Sequence, residues 1–357
     1  MHTPNSTRFT LRAGKLSGFR FSAITRILVV AVSLIAATAA MQAQLPVRVG
    51  YFPNIAHSQA LVGKAHGDFE RSLGPGFRVE WKQFNAGPSV MEALFAGALD
   101  LAYIGPSPTL NGYIQSHGEA LRVIAGASSG GASLIVRDGA GINKASDFHG
   151  KRVASPQLGN TQDVALRAWL HSQGLNTTDK GGDVQVVPLP NPDQLTLFVK
   201  GELDAAWAPE PWATRLIHEG HGRLFIDERQ LWPNGQFVSA QLIVRTDFLR
   251  QHPDVVKQWL RTHVDVTDWI NSHPADARLL LNSEIQKATG KALPAVELNE
   301  AFGRLTPTWD PIRNSLLASA NQSVQAGLIR RLPDLSGLYD LNLLNQVLVE
   351  KKKKVIP

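Results

Sequence analysis

The chain has 357 residues, 43% of them apolar and 18% charged. That is enough for two domains of ordinary size, and the balance excludes wholesale disorder. The formal charge of +6 is carried at the ends: the first 43 residues hold Arg8, Arg12, Lys15, Arg20 and Arg26 with no acid, and Lys351, Lys352, Lys353 and Lys354 close the tail. Setting the five N-terminal cations aside leaves +1, and setting the four tail lysines aside as well leaves −3. The body of the chain therefore lacks the basic face of a nucleic-acid binder.

The N-terminus has the three parts of a secretory signal. A basic stretch ends at Arg26, the apolar run Ile27–Ala37 follows, and small residues lead to Gln44. The apolar run falls short of the ~20 residues that span a bilayer. Residues 1–43 are therefore predicted to be a signal peptide cleaved near 39–43, either after Ala37-Thr38-Ala39 or after Ala43. An uncleaved anchor helix is the alternative. The chain has no cysteine, so neither disulfides nor a lipid at the cleavage site is available. A freely diffusing periplasmic product is expected.

From Pro46 to about Val244, short β-branched runs alternate with amphipathic stretches of about ten residues, as in Val47–Tyr51, Arg78–Trp81, Leu101–Ile104, Leu121–Ile124, Ser133–Val136, Val184–Val187 and Leu242–Val244. This alternation predicts parallel sheets with helices on their faces. Beyond Asp247 the pattern is helical, with Val255, Val256, Trp259, Leu260, His263, Val264, Val266, Thr267 and Ile270 at helical spacing behind Pro253.

An internal repeat runs through this part of the chain. Pro88–Tyr103 and Pro192–Trp207 align without gaps, pairing Gly97, Leu99, Asp100, Ala102 and Tyr103 with Gly201, Leu203, Asp204, Ala206 and Trp207. Each copy reads as a helix opened by proline, closed by glycine and followed by a buried strand. Two similar lobes are predicted, each presenting a loop at the carboxyl edge of its sheet, where ligands of open α/β sheets bind.

Several loops at that edge combine Gly or Pro with small polar residues ahead of a helical run. They are Asn85-Ala86-Gly87-Pro88-Ser89, in which Ser89 and Glu92 have capping-box spacing, Gln157–Gln162, and Ser128–Ser133 near the first crossing between lobes. Helix N-termini with close backbone approach hold small oxyanions without a lysine. The residues by themselves support a two-lobed binder of something small and anionic.

The chain resembles the substrate-binding proteins of bacterial ABC importers for aliphatic sulfonates, taurine and nitrate. The resemblance is carried by Val49–Ala60, Asn85–Ser89, Gly97–Tyr103, Asp147–Ala154, Leu203–Trp207 and Glu210-Pro211. It implies an α/β, type II periplasmic-binding fold: two lobes with mostly parallel sheets flanked by helices and a ligand cleft between them. Residues 44–128 with 246–357 would form lobe I, and residues 129–245 lobe II. It also implies a monomer that delivers a sulfonate-like oxyanion to a membrane permease and its ATPase, with no catalysis and no cofactor. Taurine, nitrate and bicarbonate are alternative ligands. A thiamine-pyrimidine binder or enzyme is an alternative on the same fold, disfavoured because that branch uses a cysteine-rich motif. Carried over residue by residue, the pocket would hold Asn54, His57, Gly87, Ser89, Pro106, Ser107, Ser129, Gly130, Asn160, Thr161, Trp207 and Glu210.

Individual residues have plainer readings too. His57 is equally a helix-start residue, and Glu210 reads either a ligand amine or a hinge contact. Trp207 and Tyr103 line either an apolar slot or the core. His218-Glu219-Gly220-His221 lacks the one-turn spacing of a metal site. No sequence motif for a nucleophilic serine or a phosphate loop is present. A receptor's sensory domain would require a membrane segment after the domain.

Overall fold

The computed structural model describes residues 44–332 and 334–357; the expected signal peptide, residues 1–43, lies outside them. The strands are β1 (Leu45–Tyr51), β2 (Phe77–Gln83), β3 (Leu101–Ile104), β4 (Leu121–Gly130), β5 (Ala132–Arg137), β6 (Arg152–Ser155), β7 (Gln185–Pro188), β8 (Ala205–Pro209), β9 (Gly222–Asp227), β10 (Val238–Arg245) and β11 (Leu305–Pro307). They form a six-stranded sheet of order β11-β4-β10-β3-β1-β2 and a five-stranded sheet of order β7-β6-β8-β5-β9. The α-helices are α1 (Ser58–His66), α2 (Asp68–Leu73), α3 (Gly87–Phe95), α4 (Pro106–Gln115), α5 (Thr161–Ser172), α6 (Asn191–Val199), α7 (Trp212–His218), α8 (Thr246–Gln251), α9 (Pro253–Ser272), α10 (Pro274–Thr289), α11 (Ala295–Gly303), α12 (Arg313–Gln325) and α13 (Asn342–Glu350).

Helices cover both faces of both sheets. Side chains of α1, α9, α10 and α13 fill one face of the larger sheet, and those of α3, α4 and α12 fill the other. The smaller sheet is covered by α5 on one side and by α6 and α7 on the other. The helical pattern after Pro253 is α9, whose Trp259 stacks on Phe69 with ring centroids 4.0 Å apart. Gly63 of α1 sits over the same phenyl ring, where a Cβ would come within 2.2 Å of it, so only glycine lets α1 and α2 close on the stack.

The sheets are mixed, where mostly parallel ones were expected. Parallel pairing is confined to β2-β1-β3 and β7-β6-β8. β10 runs against β3 and β4, and β5 runs against β8 and β9. The reason is the chain path: β5 and β10 are the strands that enter a sheet on arriving from the other one. The segment Val238–Arg245, expected in the second lobe, accordingly pairs within the six-stranded sheet. The chain passes between sheets at Gly130-Gly131 and again between β9 and β10.

The repeat is real at the level of hydrogen bonds. Val49 faces Leu101 in one sheet, and Val153 faces Ala205 in the other. Asp100 accepts the Arg48 backbone N–H at 3.0 Å, as Asp204 accepts that of Arg152 at 2.9 Å. The two copies differ in burial. Asp100 is fully buried and also takes the Arg48 Nε and Nη2 at 2.8 Å each and the Arg245 Nη2 at 3.1 Å. Asp204 is partly exposed and meets Arg137 at 3.5 Å. Removing Asp100 unpairs two partly exposed guanidiniums and loses several charge-assisted hydrogen bonds at ~1.5–3 kcal/mol each, whereas Asp204 makes fewer, with a longer one to Arg137. Urea titration of residues 44–357 is therefore expected to show Asp100→Ala losing several times more stability than Asp204→Ala. Equal losses would mean that the two aspartates are equivalent in energy as well as in position.

Two buried histidines take up protons less readily in the native chain than in the unfolded one. A carbonyl only accepts, so His263 Nε2 donates to Gly126 O at 2.9 Å and Nδ1 receives the Tyr103 hydroxyl at 3.0 Å. Burial pushes His263 down to about 4 and His57 to about 3. Burial pushes Glu228 up to about 7. Between pH 4.5 and 6.5 the unfolded chain binds two more protons at the histidines and the native chain one more at Glu228. Through these three groups stability rises with pH across that window by about 1.4 kcal/mol per unit. From pH 6.5 to 7 Glu228 alone contributes, with the opposite sign. In thermal melts from pH 4.5 to 6.5, His263→Gln should lose one proton's worth of the pH-dependence shown by the unaltered chain.

Candidate functional site

The carboxyl edges of the two sheets face each other across a small cavity of about 20 Å³. From the larger sheet, Phe52, Asn54, Ala56 and His57 follow β1, Asn85 follows β2, Gly105 follows β3, and Ser239 lies on β10. From the smaller sheet come Asn160, Thr161 and Gln162 at the start of α5, Asn191 at the start of α6, and Pro209 at the end of β8. Gly131 of the crossover completes the wall. No Lys, Arg, Asp or Glu lines it. The cavity shares Asn54, Asn85 and Asn191 with an outer one of about 370 Å³, whose wall adds Leu195, Trp212, Arg215, Glu219 and Lys291.

His57 is oriented by its own backbone. The Phe52 N–H donates to His57 Nδ1 at 3.3 Å, and the Phe52 ring packs on the imidazole with centroids 4.4 Å apart. An amide N–H cannot accept, so Nδ1 carries a lone pair and the proton of the neutral ring sits on Nε2. His57 is therefore a fixed neutral donor. Thr161 faces it from the other sheet. Its hydroxyl is buried without a hydrogen-bond partner. Asn160 Oδ1 accepts the Thr161 N–H at 2.5 Å, while the rest of the first turn of α5 keeps the amides that a helix cannot satisfy internally. The site thus offers hydroxyl, imidazole, amide and helix-dipole donors and no formal charge. This is the composition that holds a compact oxyanion without a salt bridge.

Glycine controls how closely the sheets approach. A Cβ on Gly105 would lie 2.2 Å from Thr161 Oγ1 and 3.2 Å from its Cβ. Gly130 and Gly131 both take φ near +80°, which lets the chain turn between sheets while Gly131 N–H donates to Arg304 O at 2.8 Å.

The residues expected at the site divide into three groups. Asn54, His57, Asn160 and Thr161 come together in the cavity. Pro106 and Ser107 open α4 next to Gly105, and Ser129 and Gly130 sit one step from the lining glycine, with Ser129 Oγ accepting the Phe237 N–H at 3.3 Å. The remaining four lie away from the cavity wall. Gly87 packs against Pro108, where a Cβ would meet the ring at 2.2 Å. Ser89 is not the cap of its helix, because α3 already begins at Gly87 with Pro88 in its first turn and Ala86 as N-cap. Trp207 is buried in the second core and donates to Glu228 at 2.9 Å. Glu210 is fully buried, accepts Arg304 Nη1 at 2.7 Å and the Thr214 N–H at 3.1 Å, and joins the sheets. Burial pushes its carboxyl up, against the pull of Arg304. His218 pairs with Glu300 at 2.6 Å, and among the described residues no group of His, Asp and Glu could hold a metal.

Asn191 and Ser239 went unnoticed in the sequence, whereas Gly131 falls in the Ser128–Ser133 loop singled out there. Asn191 had a signal, an asparagine directly before the first-turn Pro192. Ser239 had none, since it depends on β10 crossing back into the larger sheet.

Known proteins share this architecture. The taurine-binding periplasmic protein of Escherichia coli K12 is 30% identical over 206 residues, which cover 58% of this chain and 61% of that protein's length. The alkanesulfonate-binding protein SsuA of Xanthomonas axonopodis pv. citri, solved with bound MOPS, superposes with a TM-score of 0.67 at 22% identity, over 81% of this chain and 96% of that one. The periplasmic nitrate-binding protein NrtA of Synechocystis PCC 6803 superposes with a TM-score of 0.68 at 14% identity, over 86% and 89%. Residues 41–282 match the NMT1-like family, and the chain belongs to that family.

Proposed function

We propose that this chain is the ligand-capturing component of an ABC importer: exported, monomeric, and closing its two lobes on a small oxyanion that it passes to a permease and its ATPase. The observation that carries the reading is the charge-free cavity lined by Asn54, His57, Asn160, Thr161 and Asn191 at helix starts of both sheets. The two passages between sheets, at Gly130-Gly131 and between β9 and β10, act as the hinge.

Catalysis is not part of the reading. No carboxylate, lysine or tyrosine lines the inner cavity, and the chain has no cysteine. Its one titratable group, His57, is held neutral by burial with Nδ1 occupied, so it cannot collect a proton there.

An alkane sulfonate is the preferred ligand over nitrate or bicarbonate. The inner cavity suits the head, and the outer cavity, with Leu195 and the Trp212 ring, suits an apolar tail. Taurine fits less well through Glu210, whose carboxylate is taken by Arg304. Glu219 in the outer wall is the carboxylate that could meet an amine.

Calorimetry and thermal unfolding of residues 44–357 with ethanesulfonate, longer alkane sulfonates, taurine, nitrate, bicarbonate and sulfate test this. Affinity should grow with chain length among the sulfonates and be weakest for nitrate. A ligand at 1,000 times its Kd adds ~4 kcal/mol of stability. No shift with any oxyanion would overturn the reading, and a nitrate-only shift would overturn the sulfonate assignment.

Thr161→Ala should weaken the best ligand about ten- to hundredfold, since a hydrogen bond to a charged group contributes ~1.5–3 kcal/mol. Ser89→Ala should leave the Kd unchanged. Gly105→Ala should weaken binding without unfolding the chain, because its methyl holds the sheets apart at Thr161. Normal affinity in Gly105→Ala would mean that this approach is not needed for closure.

A further inference from the structure

A separate cavity, of about 280 Å³, opens to solvent away from the cleft, between α5, the turn Glu228–Leu231 and α12. Trp169, Leu231 and Trp232 form its apolar wall, Gln322 and Gln325 its exposed rim, and Glu228 its buried polar group. Glu228 is 3% exposed. Its oxygens accept the Trp207 and Trp232 indole N–H groups at 2.9 and 3.4 Å. Each carboxylate oxygen can accept more than one hydrogen bond, so acceptor capacity remains. Among the described residues no Lys or Arg pairs with it, and the neighbouring Asp227 has the same sign and is already bound by Arg229. His171, on α5, is the remaining titratable group in the wall.

A buried carboxylate without a counter-cation, beside two indole rings and neutral amides, is a surface awaiting positive charge. Indole faces attract cations, most strongly where water is displaced. An inorganic ion would leave the rings unused, and an anion would meet like charge. We infer that this cavity is a second ligand site, selective for a small organic ammonium held between Glu228 and the Trp169 and Trp232 rings. Burial raises the Glu228 carboxyl, and a bound cation would bring it back toward ionisation.

The probes are choline and its uncharged isostere 3,3-dimethyl-1-butanol, titrated into residues 44–357 at pH 8 with calorimetry and tryptophan emission as readouts. Choline should bind saturably and the isostere at least tenfold more weakly. Glu228→Gln should lose tenfold or more in choline affinity. Thr161→Ala, which lies at the oxyanion cleft, should not change it, and saturating ethanesulfonate should not compete. Absence of saturable choline binding up to millimolar concentration, equal binding of the isostere, or competition by ethanesulfonate would each overturn the assignment. If Glu228→Gln does not fold, the choline-to-isostere ratio in the unaltered chain decides alone.

Discussion

The contact of Glu210 with Arg304 is the point on which the cleft is assembled. The carboxylate on the five-stranded side and the guanidinium at the end of α11 meet at 2.7 Å in a buried setting. Around them four separate pieces of chain are tied. Glu210 N–H donates to Gly131 O, Ile55 N–H donates to Glu210 O, and Gly131 N–H donates to Arg304 O. Arg304 also reaches Thr214, whose N–H holds the other carboxylate oxygen. The crossover, the β1–α1 turn, the start of α7 and the end of α11 are thus fixed to one another. Removing Arg304 would leave the Glu210 carboxylate buried without a cation, whereas removing Glu210 leaves Arg304 paired with Glu300.

This node explains where sequence reading ended. Glu210 stood out through the resemblance and as a carboxylate expected beside an anion, but its partner is 94 positions away. Nothing local to Arg304 marks it, since it sits at an ordinary helix end. The repeat was legible for the opposite reason. Gly97 and Leu99, with their counterparts Gly201 and Leu203, do local work, closing a helix and filling a core, whereas Asp100 and Asp204 each hold a backbone N–H 52 positions away and were visible only because they recur at the same place after the helix. Local work leaves a local pattern. The strand runs were legible by their β-branched residues, whereas strand direction was not, because β5 and β10 read the same whichever way they enter a sheet.

The same distinction sorts the site. Asn160 and Thr161 precede a helical run, so position suggested them, whereas Asn54 and His57 came from the resemblance to known binding proteins. Ser89 satisfied a capping spacing, but Pro88 is preorganised for the first turn of a helix and starts α3 two residues earlier. Trp207 was legible as either slot or core, and the strand's burial on both faces decides for the core. Ser239 becomes a wall residue through β10 alone.

A cleft without charges has a consequence for closure. With the sheets this close, the Thr161 hydroxyl is buried and unpaired, and His57 and the first residues of α5 line the same small space. A buried donor without an acceptor costs ~1–3 kcal/mol. An oxyanion supplies acceptors to all of these groups at once, and it does so only when both sheets are in place. The open arrangement leaves each donor to water and gains much less from the ligand. A ligand shifts a two-state equilibrium by its difference in affinity for the two states. Neutral donors divided between two lobes make that difference large. A fixed cation on one lobe would instead bind the anion about equally well open or closed, and would hold it without closing the cleft.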